Sequence, residues 1–293
     1  MHLSELVFEG ELLRDGEFLY TLHPTANIPN ALCYALGGKY LQAAVENPAV
    51  SCIITTKENA ASIPLSKGAL LTHDPQSLYY KIHDYIVNTG KACLVNKTYI
   101  SPTASIHASV EIKGNVIIED NVVIEKDVII EPNTIIRKDT YIGNRVIIGT
   151  KGMQNLRVNN QFIRVAYAGG VEIGERVEVI DMAIIQRPYN FLYTKIGNDC
   201  KVSVRVNIGH GSSIGNNCMI AGSTQIAGNV IIGDDVWIGP SVTIADGLTI
   251  GEKSKVLIGS VVVSNIPANV SVSGNFALDH NRQLKNMSRI KKL

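Results

Sequence analysis

The sequence predicts a mainly β protein built around a parallel β-helix, with a small α/β domain before it and a C-terminal helix after it. Three observations carry this. Branched apolar residues return at every sixth position through the middle of the chain, residues 1–99 lack that beat, and the final residues place apolar side chains at helical spacing among basic ones.

The beat starts at Ile100, Ile106 and Ile112 and runs without a gap through Ile118, Ile124, Ile130, Ile136 and Ile142 to Ile148. It resumes at Ile173, Val179 and Ile185. It then holds from Ile196 and Val202 through Ile208, Ile214, Ile220, Ile226, Ile232, Ile238, Ile244 and Ile250 to Val256. A helix repeats at about 3.6 residues and a strand at about 2, so neither alone keeps a period of six. Hexapeptide repetition marks a parallel β-helix, in which each short strand turns a corner and each coil of three hexads stacks on the last. The repeat domain is expected over residues 100–272.

Residues 1–99 read as an α/β domain. VSCIITT (50–56) and GALLTH (68–73) are strand candidates, and PQSLYYKIHDYIV (75–87) spaces Leu78, Ile82 and Ile86 for a helix. Pro75 suits the first helical turn, with Asp74 as the cap. The tail, 273–293, contains DHNRQLKNMSRIKKL, a basic amphipathic helix with Leu284, Met287 and Ile290 on one stripe, suited to packing on a subunit or on the chain's own body.

Bulk properties exclude several classes. With a net charge of +1 and 18% charged residues, the chain offers no general attraction for nucleic acid or an anionic membrane. The start, MHLSELVFEGELL, carries acids and no basic region, and no apolar run has spanning length, so neither a signal peptide nor a transmembrane segment is expected. The five cysteines (Cys33, Cys52, Cys93, Cys200, Cys218) are scattered and form no CxxC pair. Free thiols in a reducing cytoplasm follow.

The beat is lost in two places, 149–172 and 186–195, where loops are expected to leave the coil. Loops on a rigid solenoid are where binding residues sit. Phe162, Tyr167, Tyr189, Phe191 and Tyr193 concentrate in these breaks of an aromatic-poor chain and point to contact surfaces. Of seven histidines only His107 and His210 lie in the repeat, and His107 sits near its first coil. His210 lies in the strictest stretch. One coil on, stacked at about 4.8 Å, stands Gly228. A histidine beside a bare backbone N–H is a plausible base and oxyanion donor for acyl transfer. No acid–histidine cluster accompanies it, so no metal is expected.

These segments resemble the left-handed hexapeptide acyltransferases, an exception to the usual right-handed crossover. Over nearly the whole chain they are most similar to the UDP-3-O-acylglucosamine N-acyltransferase family of lipid A synthesis. LCYALGGKYLQAAVENPAVSCIIT resembles that family's uridine-binding segment, with Tyr34 and Tyr40 at the positions of the aromatic pair that sandwiches uracil. GALLTHDPQSLYYKI resembles its later strand, Asp-Pro turn and helix, and QFIRVAYAGGVEIGERVEV its loop returning to the repeat. IIQRPYNFLYTKIG resembles the I-D-R-G loop and puts Arg187 at its arginine. VNIGHGSSIG resembles the segment carrying the catalytic base, His210, and IAG at 226–228 the one offering the oxyanion amide of Gly228. SVSGNFALDHNRQLKN resembles the closing strand and helix. Four departures stand out: Gly211 replaces the Asn after the catalytic His, and Gly247, beside Asp246, replaces a second His. Gly37-Gly38 replace an Asn-Pro, and Gln186 replaces the Asp of I-D-R-G.

The resemblance implies direct acyl transfer from an acyl carrier protein or coenzyme A thioester to the amine of a UDP- or dTDP-linked amino sugar, with no permanently bound cofactor. His210 is the implied base and Gly228 the oxyanion donor. Tyr34 and Tyr40 are the implied base clasp, with Arg187 and Asn229 in the substrate-binding set; Asp246 joins that set by stacking geometry alone, one further coil along the same column, where it would orient the amine or keep it charged. A homotrimer with active sites between subunits is implied as well. Two other functions fit the same residues: an acetyl-CoA-dependent sugar O- or N-acetyltransferase, and a non-catalytic nucleotide-sugar-binding relative.

Overall fold

Isoleucines spaced by six point inward, and their burial closes the chain into a prism: Ile208, Ile226 and Ile244 are at most 1% exposed. Each such side chain stabilises the fold by roughly 1.5–3 kcal/mol relative to exposure. The computed structural model describes residues 1–6, 8–153, 155–158 and 161–274, with Arg282 and Arg289 beyond them in helical conformation. The remainder of the expected tail helix, including Leu284, Met287 and Ile290, lies outside the described residues.

Among the described residues three parallel sheets form the sides of the prism. The first face runs from Tyr99–Ile100 to Thr249–Ile250, the second from Ser105–Ile106 to Ser271–Val272, and the third from Glu111–Ile112 to Val261–Val262. In the regular coils neighbouring strands on one face are 18 residues apart, as in Ile208↔Ile226 and Ile226↔Ile244, so one coil takes three hexads. The fold is the left-handed parallel β-helix that the repeat and its resemblance lead one to expect. Most corners use a left-handed residue. Between the first and second faces these are Asn121, Asp139, Arg176, Asp199, Asn217, Asp235 and Lys253, at φ between 54° and 60°. Asn and Asp dominate there because their short side chains tolerate that region best.

The N-terminal sheet contains β1 (Glu11–Arg14), β2 (Tyr20–Thr21), β3 (Ala31–Tyr34), β4 (Val50–Thr55) and β5 (Gly68–Leu71), in the order β1-β5-β4-β3-β2. Only β1 is antiparallel to its neighbour. The helix α1 (Gly38–Glu46) connects β3 to β4, α2 (Pro75–Thr89) follows β5, and Asp74 caps α2 by accepting from the Ser77 N–H.

Both breaks in the beat leave the third face and return to the first. The longer one carries an antiparallel hairpin, Asn155–Val158 with Gln161–Arg164. They lie against the chain's own N-terminal domain. Val165, Ala168 and Phe191 join its core, and Phe191 packs 5.2 Å from Tyr20. In α2, His83 Nε2 donates to Ala166 O at 2.9 Å, and Asp84 Oδ1 accepts from Ala166 N at 2.8 Å. The loops are therefore the mount that fixes the N-terminal domain to one edge of the prism.

Candidate active site

That edge, the corner between the third and first faces, also carries His210. The pairing Ile185↔Ile208 puts the start of the second break directly before the His210 turn, and Thr150↔Gln186 puts the first break before the second. Two insertions and one histidine thus share a column, because all three interrupt or follow the same strand positions of successive coils.

Going along the axis, the Asn229 N–H donates to His210 O at 2.8 Å and the Gly247 N–H to Gly228 O at 2.9 Å, so His210, Gly228 and Asp246 occupy one stack. The imidazole leans over Gly228. A Cβ on that glycine would stand 2.6 Å from His210 Cε1, 2.7 Å from Nε2 and 2.8 Å from Asp246 Oδ1. On its other edge the imidazole meets Gly152, where a Cβ would stand 3.0 Å from His210 Cδ2 and 2.9 Å from Gln186 Oε1. Two bare glycines therefore leave the ring its place. His210 is half-buried, Gly228 buried and Asp246 exposed.

The Gly228 amide is open where some of its counterparts are not. In the corner between the first and second faces, the Asn198 N–H donates to Asn216 Oδ1 at 2.9 Å, and the Asn216 N–H to Asp234 Oδ1 at 2.6 Å. Among the described residues the Gly228 N–H meets no acceptor. An unspent backbone donor next to an imidazole can hold a developing oxyanion.

The turn behind His210 is pinned by a residue the sequence reading missed. Thr194, fully buried, accepts from the Gly211 N–H at 2.8 Å and donates to Gln186 O at 2.6 Å. Gly211 adopts φ +70°, and a Cβ there would fall 2.5 Å from Asn229 Oδ1. Asn229, exposed and itself left-handed, thus lays its carboxamide over the space a side chain at 211 would take.

Tyr34 and Tyr40 line a single cavity of about 320 Å³ in the N-terminal domain, together with His23, Pro24, Tyr79, Tyr80 and Tyr189. Tyr34 packs 5.1 Å from Tyr79, and Tyr40 makes an edge contact 5.4 Å from His23. Tyr189 comes from the second break, so the cavity wall and the His210 corner are joined by one short loop. Burial raises the Tyr79, Tyr80 and Tyr189 phenols above their ordinary value, which keeps this wall neutral. Arg187 lies elsewhere. It is 5% exposed and turned against the body of the helix, with Nη1 donating to Pro132 O at 3.4 Å and Nη2 3.7 Å from Glu131 Oε2. Burial draws its guanidinium below the ordinary value while Glu131 opposes the shift, and its Nε has no partner among the described residues. Among the described residues no three His, Cys, Asp or Glu converge on a point that would suit a metal, and no helix is long and apolar enough to cross a membrane.

Residues 121–151 match the family "Bacterial transferase hexapeptide (six repeats)". A search of curated protein sequences returned no match. Among solved structures the chain is similar to a UDP-N-acetylglucosamine acyltransferase from Francisella novicida, at 21% identity and TM-score 0.46, over 64% of this chain and 73% of that one. It is similar to a UDP-N-acetylglucosamine O-acyltransferase from Moraxella catarrhalis, at 26% identity and TM-score 0.45, over 64% and 77%. A third likeness is to the LpxA protein of Acinetobacter baumannii, at 26% identity and TM-score 0.38, over 66% and 76%.

Proposed function

We propose that the chain is an acyltransferase that moves an acyl group from a thioester donor, an acyl carrier protein or coenzyme A, to the amine of a nucleotide-linked amino sugar of the lipid A or surface-polysaccharide kind. The observation that carries this is the contact of His210 with Gly228, an imidazole held against an unspent backbone amide on the edge where both loops emerge. The hexapeptide transferase repeat over 121–151 supports the same class.

In this reading the sugar amine attacks the thioester carbonyl while His210 takes its proton. The Gly228 N–H holds the negative charge that develops on the carbonyl oxygen. The imidazolium then returns the proton to the departing sulfur, so the C–N bond forms, the C–S bond breaks and the base is regenerated. A histidine base typically contributes about 10²–10⁴-fold, and one oxyanion donor roughly 3–4 kcal/mol. Tyr34 and Tyr40 hold the uracil or thymine of the acceptor in the neutral aromatic cavity, a setting suited to a flat uncharged ring. Arg187 is read with the acceptor set as the residue that ties the second loop to the coil of Glu131, and Asn229 as a wall of the acceptor site. The assembly read with this function is a homotrimer. Exposed Met219 and Trp237, paired neighbours on the second face, offer apolar surface for it.

The deciding experiment incubates the protein with a panel of UDP- and dTDP-linked amino sugars and with acyl-carrier and coenzyme A thioesters, and follows the acceptor mass. A mass gain equal to one acyl group is expected with an acyl-carrier or longer-chain donor. Transfer from acetyl-CoA alone would reassign the chain as an acetyltransferase. Nucleotide binding with no transfer from any thioester would make it a binding protein.

A further inference from the structure

We infer that Asp246 and His210 form a two-point acceptor that selects a primary amine over a hydroxyl as the attacking group. This deepens the acyl-transfer reading and rests on it. The space over Gly228 is bounded on one side by His210 Nε2 and on the other by Asp246 Oδ1, 2.7 and 2.8 Å from the point where a Cβ would stand. The two polar atoms therefore lie close enough together over the bare glycine for one heavy atom to reach both, and the gap between them is the place for it. Among the described residues neither side chain has a hydrogen bond or ion pair, and they do not pair with each other. Asp246 is exposed, and open space surrounds the missing side chain of Gly247 next to it, so the gap is accessible from the Asp246 side.

Two acceptors facing one gap call for a group with two protons to give. A neutral primary amine has two N–H donors and a lone pair; a hydroxyl has one O–H. Placed in the gap, the amine donates one N–H to Asp246 and the other to His210, which leaves its lone pair for the thioester carbonyl. On attack the N–H facing His210 passes to the imidazole and on to the sulfur. The N–H facing Asp246 stays on the nitrogen and becomes the N–H of the product amide. Asp246 only accepts a hydrogen bond and neither gives nor takes a proton in the step. A hydroxyl fills only one of the two acceptors and, once the acceptor sugar covers the gap, leaves the carboxylate without a donor. Sites that hydrogen-bond a particular group discriminate strongly against analogues lacking it. A hydrogen bond to a charged group is large enough to shift affinity by about tenfold or more.

The test uses binding, so that it stands apart from turnover. Calorimetry compares UDP-glucosamine with UDP-glucose, and dTDP-4-amino-4,6-dideoxyglucose with dTDP-6-deoxyglucose, on the native protein and on Asp246→Ala and Asp246→Asn. At least one amine is expected to bind about tenfold or more tighter than its hydroxyl partner. Asp246→Ala should erase that preference by weakening amine binding and not hydroxyl binding, and Asp246→Asn, which keeps a carbonyl acceptor, should restore part of it. Equal affinity within both pairs, binding of neither amine, or a preference untouched in Asp246→Ala overturns the inference. Loss of transfer in a protein that keeps the amine preference would instead overturn the acyl-transfer reading alone.

Discussion

The imidazole of His210 rests on Gly228 of the following coil, with Nε2 2.7 Å from the place a Cβ would occupy, and this contact holds the histidine against an amide that meets no acceptor among the described residues. The glycine is there for space, since its own backbone lies in the ordinary region. An alanine would put its methyl carbon well inside van der Waals contact with the ring and with Asp246 Oδ1. Gly228→Ala is expected to push the imidazole aside and lower kcat/KM by about 10²-fold or more, in the range of losing an oxyanion donor. Steady-state kinetics with the acceptor identified by the transfer panel will show it. Gly152→Ala, acting on the opposite edge of the ring, should cost less, because Gln186 can move.

Thr194 provides a second handle. Its hydroxyl joins the Gly211 N–H to Gln186 O, linking the turn after His210 to the start of the second break. Thr194→Val keeps the shape and leaves a buried donor and acceptor unpaired, a change that costs about 1–3 kcal/mol. The expected outcome is a lowered melting temperature together with a lowered kcat and little change in KM. Thr194→Ser, which keeps the hydroxyl, should recover both.

The eighteen-residue column linking His210 to Gly228 and Asp246 was legible in the sequence because the hexads between Ile196 and Val256 never slip. Gly152 and Thr194 were not, for a physical reason: each lies in a segment where the beat is lost, and without phase a residue cannot be assigned to a column. The docking of the loops on the N-terminal domain was hidden in the same way. Val165, Ala168 and Phe191 are buried by a partner distant in sequence, and their spacing carries no period. The tyrosine pair could be named from its resemblance, but a further aromatic of the wall, Tyr189, comes from the second break and joins the cavity only through folding.

Nucleotide binding should respond to the cavity wall. Tyr34 packs on Tyr79 and faces the same cavity as Tyr40. A stacked aromatic pair contributes about 0.5–1.5 kcal/mol beyond its buried area. Tyr34→Ala and Tyr40→Ala are each expected to weaken UDP or dTDP binding by roughly threefold to tenfold in calorimetry, with Tyr34→Phe close to the native protein.

The mount of the N-terminal domain should loosen in acid. His83 Nδ1 accepts from Thr21 Oγ1 at 2.6 Å while Nε2 donates to Ala166 O, and burial lowers the imidazole below its ordinary value. With the folded value below the unfolded one, the unfolded chain takes up the proton first as pH falls. This contribution is therefore whole above about pH 6.5 and is lost progressively below it. Melting temperature followed from pH 8 to 5 should fall in that window. In His83→Gln, which cannot titrate, the part of the slope due to this residue should be missing.

The most direct measurement is the rate of acyl transfer by His210→Ala, made beside its melting curve. The inward-facing Ile208 and Ile226 keep the coil closed without the imidazole, so an unchanged melting temperature is expected. Transfer should fall by about 10²–10⁴-fold, the usual contribution of a general base. A variant that folds normally and transfers the acyl group at the native rate would contradict the account.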